Sequence, residues 1–93
     1  MRWQLEVWLC PKGQVIPMHV HRRCDSRITH WIGNVEWMLG GRRKTLTTRD
    51  AMTTRSVPAG FVHGAKAHTF AIFSNFETWT GRPTSAAEDI QFV

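Results

Sequence analysis

His19 and His21 stand two residues apart at the end of the stretch GQVIPMHVH, residues 13–21. In extended backbone successive side chains alternate faces, so both imidazoles point to one side while Met18 and Val20 point to the other. A third histidine, His63, closes the segment VPAGFVH, residues 57–63. If its proline and glycine turn returns the chain to the same barrel, three ring nitrogens converge. Neutral imidazole is the commonest protein ligand for zinc, copper, iron and nickel, and three protein ligands leave positions open for water or substrate. The chemistry on offer is an open transition-metal site.

Such a site needs short extended elements to carry it. Residues 3–9, WQLEVWL, alternate, with Trp3, Leu5, Val7 and Leu9 on an expected core face and Gln4, Glu6 and Trp8 opposite. Residues 11–13 turn the chain. Residues 27–32 are rich in β-branched and aromatic side chains, and Gly33-Asn34 turns into a further strand over 35–39. Gly40-Gly41 fits a tight hairpin. The threonine-rich strand over 43–48 returns and is broken at Arg49-Asp50, and residues 53–57 lead into the turn 58–60. Residues 69–73 form the most apolar strand, residues 77–80 extend or follow it, and residues 81–83 end it. Residues 86–93 read equally as a short helix or an edge strand. Many short strands with regular turn signals predict an all-β sandwich or barrel.

The 93 residues, 42% hydrophobic and 20% charged, suit a single domain over 1–93 with one modest core. No apolar run reaches the length of a membrane span, and residues 1–13 carry charges and a proline where a signal peptide is apolar, so the expectation is a soluble, cytoplasmic protein. Cys10 and Cys24 form neither a metal-binding pair nor a disulfide framework. The net charge of +5 collects at Arg42-Arg43-Lys44, beside the hairpin glycines, and at Arg22, Arg23 and Arg27. These read as solvated turn charges, so nucleic acid is not the expected partner.

With Gly13, His19, His21 and Gly33 in one register and Pro58, Gly60 and His63 in a second, the sequence resembles the cupin superfamily over residues 5–73. The resemblance implies a small antiparallel β-barrel of the jelly-roll kind with a metal inside. Three departures matter. The glutamate ligand of the first motif falls on Ser26, with Asp25 beside it. The opening glycine of the second falls on Met52, and its asparagine on Ala67, next to His68. A hydroxyl is a poor replacement for a carboxylate, so a three-histidine site is favoured, with Asp25 or Ser26 as the possible additional ligand. Some cupin dioxygenases, including those acting on thiols and on diketones, are similar in holding iron by three histidines. The cysteine–tyrosine cross-link that those acting on thiols can carry is impossible here, because the chain has no tyrosine.

Iron in that site suits oxygenation of a small chelating metabolite, whereas zinc or nickel suits isomerisation or hydrolysis. Iron, zinc, nickel, manganese and copper all remain open. His30 shares the inward parity of Ser26 and Ile28 and is the candidate catalytic base, the competing reading being a hydrogen-bonded core histidine. Trp3 and Trp37 are expected to pack inside, with Met18 and Met38, while Trp8 and Trp31 are candidates for a homodimer face. Cys24 is either a soft ligand, a redox-sensitive thiol or an exposed loop residue. The alternative to an enzyme is a cupin-like binding module for a small ligand or protein partner, with Arg22, Arg27 and Arg55 as anion contacts, and behind it an accessory protein whose basic surface meets nucleic acid.

Overall fold

In a computed structural model, which describes residues 1–82 and 85–93, the described residues build nine strands. They are β1 (Arg2–Cys10), β2 (Val15–His21), β3 (Asp25–Ile32), β4 (Val35–Leu39), β5 (Arg42–Leu46), β6 (Thr54–Val57), β7 (His63–Ala67), β8 (Ala71–Trp79) and β9 (Ile90–Phe92). Two antiparallel sheets result, in the orders β1-β8-β3-β6 and β5-β4-β7-β2-β9. Between them lies a core of Cys10, Ile28, Val35, Trp37, Leu46, Val57, Ala67, Ala71 and Phe73. This is the expected all-β jelly roll. Pro83, part of the expected strand terminator, lies outside the described residues. No helix among the described residues is long and apolar enough to cross a membrane.

Local chemistry explains the boundaries. Gly33, at φ +93°, turns β3 into β4 where a Cβ would meet the Phe70 carbonyl and lie 2.8 Å from the Cα of Ala71, so only glycine fits. The break after β5 is a 3-10 turn at Thr48–Asp50 with a capping box: the Thr47 side chain accepts from the Arg49 amide, and Asp50 accepts from the Thr47 amide at 2.7 Å. Residues 86–93 are both things the sequence suggested. A 3-10 turn spans Ala86–Asp89, and β9 then pairs with the free edge of β2.

The faces of β1 are the reverse of those expected. Trp3, Leu5, Val7 and Leu9 are exposed, while Gln4, Glu6 and Trp8 turn inward with buried Cys10. The inner face of this edge strand lines a cavity instead of dry core, so polar side chains are tolerated there. Trp3 accordingly packs outside against Phe76 with tilted rings, centroids 5.9 Å apart, and Trp8 stacks inside on Phe73 at the same separation. β7, HGAKA, was not anticipated from composition; its pairing with β2 and β4 overrides weak local preference. Met18 and Met38 are half-buried, not core.

Candidate metal centre

β2 and β7 pair so that His19 lies directly opposite His63. A register irregularity between Ile16 and His19 re-aims the end of β2, a usual role of bulges beside sites. Gly64 allows the close approach. A Cβ there would sit 2.8 Å from both the Ile16 carbonyl and the Met18 sulfur. His21, two residues on, shares the face of His19. Ring centroids are 4.2 Å apart for His19 and His63, 5.2 Å for His19 and His21, and 5.6 Å for His21 and His63. One nitrogen from each ring lies within 4.8 Å of the others, and all three side chains are buried.

The hydrogen bonds leave this set ready to ligate. His19 Nδ1 donates to the Pro17 carbonyl at 2.7 Å and His63 Nδ1 to the Phe61 carbonyl at 3.0 Å, in the tautomer that keeps each Nε2 lone pair free. His21 Nδ1 is buried without a partner. Electrostatics also favours neutral rings. Burial pulls the His63 pKa down to about 4, helped by the charges of His19 and His21 and opposed by the Phe61 carbonyl. Burial likewise lowers His21, with His19 adding to it and Asp89, the Ala86 backbone and Glu6 opposing. Three convergent buried imidazoles, two of them oriented by backbone carbonyls, fit a borderline divalent cation.

The histidines form part of the wall of a cavity of about 230 Å³, whose apolar lining includes Trp8, Ile16, Ile28, Trp37 and Phe73. Phe92 of β9 stands over the site, its ring centroid 6.2 Å from that of His19. Glu77, Glu6 and Asn75 also line the cavity, and Glu77 is only 1% exposed. Sequence reasoning missed these acids. The available signal was parity, since Ala71, Phe73, Asn75 and Glu77 alternate along one continuous strand, β8.

The other sequence-predicted residues stand elsewhere. Asp25 is exposed, and its Oδ1 accepts the Ala59 amide at 2.8 Å. Ser26 is buried opposite Glu77, its hydroxyl unpartnered. His30 is fully buried, with Nε2 2.8 Å from the Gly33 carbonyl, and does not line the histidine cavity. Arg22, Arg27 and Arg55 do not line it either. Cys24 is buried, not exposed, and its thiol is pushed up to about 12 by burial and by neighbouring Asp89. A second group, His21, Cys24 and Asp89, is compact, but Asp89 Oδ2 already accepts the amides of Arg23 and Cys24 at 2.7 and 3.1 Å.

No protein-family model and no curated protein matches the sequence. Solved structures do. An RmlC-like cupin from Shewanella frigidimarina superimposes with a TM-score of 0.73 at 23% identity, over 84% of this chain and 67% of that one. The chain has the cupin fold. KdgF from a Halomonas species matches this chain with a TM-score of 0.75 at 20% identity, over 85% of this chain and 71% of the other. A Klebsiella pneumoniae protein with a double-stranded β-helix domain matches at 0.73 and 26% identity, covering 87% and 66%. The fold agrees with the resemblance carried by the two histidine motifs.

Proposed function

We propose that this cupin binds a divalent transition metal through His19, His21 and His63 and a small ligand beside it in the cavity. The observation that carries this is the convergence of three buried imidazoles from β2 and β7, two of them tautomerically fixed by backbone carbonyls. A metal held there supplies a Lewis-acid or dioxygen-activating centre. The chain's own contribution is to hold the rings together, to exclude bulk water with Trp8, Trp37, Phe73 and Phe92, and to present a mostly apolar wall to the ligand's body. Activity as a dioxygenase or isomerase on a small chelating metabolite follows if the ligand turns over.

Titration with cobalt(II), read by its visible spectrum, tests the site. One equivalent giving the bands of a nitrogen-ligated ion, lost in His63→Ala and in His19→Ala/His21→Ala, supports the proposal. Spectra identical in all three proteins would overturn it.

The homodimer belongs to this proposal with a changed face. It is supported by the exposed apolar stripe Trp3, Leu5, Val7 and Leu9 on edge strand β1, continued by Phe76 of β8, rather than by inward-facing Trp8.

A further inference from the structure

Glu77 is the anomaly of the interior. It is 1% exposed, both carboxyl oxygens lack a donor, and it faces the cavity from the centre of a sheet. Its polar neighbour is another acid: Gln4 of β1 is paired with Glu77, and Glu6 lies one inward position further along. The surroundings point to a missing ligand as well. Asn75, one inward position along β8, has an unpartnered Oδ1, and His21, 6% exposed, has an unpartnered Nδ1, both in the same cavity lining. Buried polar atoms are rarely left unpaired without a functional reason.

A second carboxyl beside a buried one disfavours its ionisation, so Glu77 is the member of the pair held as the acid. Burial and the Glu6 carboxyl push Glu77 up to about 9. The titratable groups around the pair are Cys24, whose thiol stays protonated, His21 on β2, Asp25 at the start of β3 and Asp89, both of which act on Cys24; Ser26 of β3 adds a hydroxyl opposite Glu77.

We propose that Glu6 and Glu77 share one proton and act as an acid–base pair on a small carbonyl compound bound in the cavity. This rests on the cavity being a ligand site and not on the metal. In the forward step the Glu6 carboxylate takes a proton from the carbon beside the ligand's carbonyl. The C–H electron pair becomes the C=C bond, the carbonyl π pair moves to oxygen, and that oxygen takes the Glu77 proton. The pair still holds one proton, now on Glu6, and the reverse step returns the ketone. No oxidant or reductant enters.

The test uses infrared difference spectra and deuterium incorporation into the methyl groups of acetone, a neutral ketone, in heavy water, for the wild type, Glu77→Gln and Glu6→Gln, each metal-free and zinc-loaded. The wild type should show a protonated carboxyl at pH 7 that titrates near pH 9. Glu77→Gln should lose that band, and Glu6→Gln should move its midpoint down by about one pH unit. Acetone deuteration should fall about a hundredfold in either variant. If Glu77→Gln fails to fold, Glu6→Gln carries both readouts. Absence of a protonated carboxyl at pH 7, or deuteration equal in the wild type and a folded variant, overturns the assignment. Zinc content of the same samples reports separately on the histidine site.

Discussion

His19 and His63 face each other across the β2–β7 pair with ring centroids 4.2 Å apart, each Nδ1 tied to the carbonyl two residues before it. Two distant segments thus repeat one local device, a histidine oriented by its own strand. The closeness depends on Gly64. Gly64→Ala should destabilise the fold by about 1–3 kcal/mol through overpacking against Ile16 and Met18, and weaken zinc binding in parallel. Urea unfolding and zinc titration of the same preparation check both effects. A variant with wild-type stability and affinity would show that the strands have room to spare.

Met52 stands where the second cupin motif has its glycine, and it is the non-glycine residue with a positive φ, +70°, among the described residues. Left-handed backbone costs a side-chain-bearing residue about 1 kcal/mol, and exposed Met52 has little packing to lose. Met52→Gly should therefore be neutral to stabilising by up to about 1 kcal/mol, where most glycine substitutions destabilise. Chemical denaturation measures it, and a clear loss of stability would refute the strain.

Glu77 makes stability depend on pH in a set direction. Its folded pKa, about 9, lies above its ordinary value of 4.5, so between those limits the folded chain holds a proton that the unfolded chain has released. Stability from this group is complete below pH 4.5 and declines as pH rises toward 9. Glu77→Gln should flatten that decline and gain on the wild type at pH 8–9. Thermal melts across the range test the sign, and parallel curves would contradict it.

The outer face of β1 should mediate self-association. Leu5→Lys/Val7→Lys places charges on the exposed stripe without touching the cavity lining. Sedimentation should show a wild-type dimer and a variant monomer that retains metal binding; a wild-type monomer would remove the homodimer proposal.

Spacing and turn chemistry made most of the strands and all three histidines legible. His19 and His21 announce themselves by period-2 alternation, and Pro58, Gly60 and His63 by the turn between them. The faces of β1 were not legible, because alternation says which residues share a side but not which side is inside. Trp3, Leu5, Val7 and Leu9 form the more apolar set, yet the inner position goes to Gln4, Glu6 and Trp8, since that face borders a cavity in which Glu6 joins Glu77 and Asn75. Glu77 was hidden for the same reason: treating residues 69–73 and 77–80 as separable pieces loses the parity that one long β8 imposes. β7 was invisible because Gly64, Ala65 and Ala67 carry no strand signal of their own, and tertiary pairing alone makes them a strand.

The central claim is a three-histidine metal site. Its most direct test is the metal content of protein purified without chelator or a histidine-rich tag, measured beside His19→Ala/His21→Ala and His63→Ala. The account predicts close to one iron, zinc, nickel, manganese or copper ion per chain in the wild type and little or none in either variant. A wild type that is metal-free and cannot be loaded, or variants that keep the full complement, would contradict it.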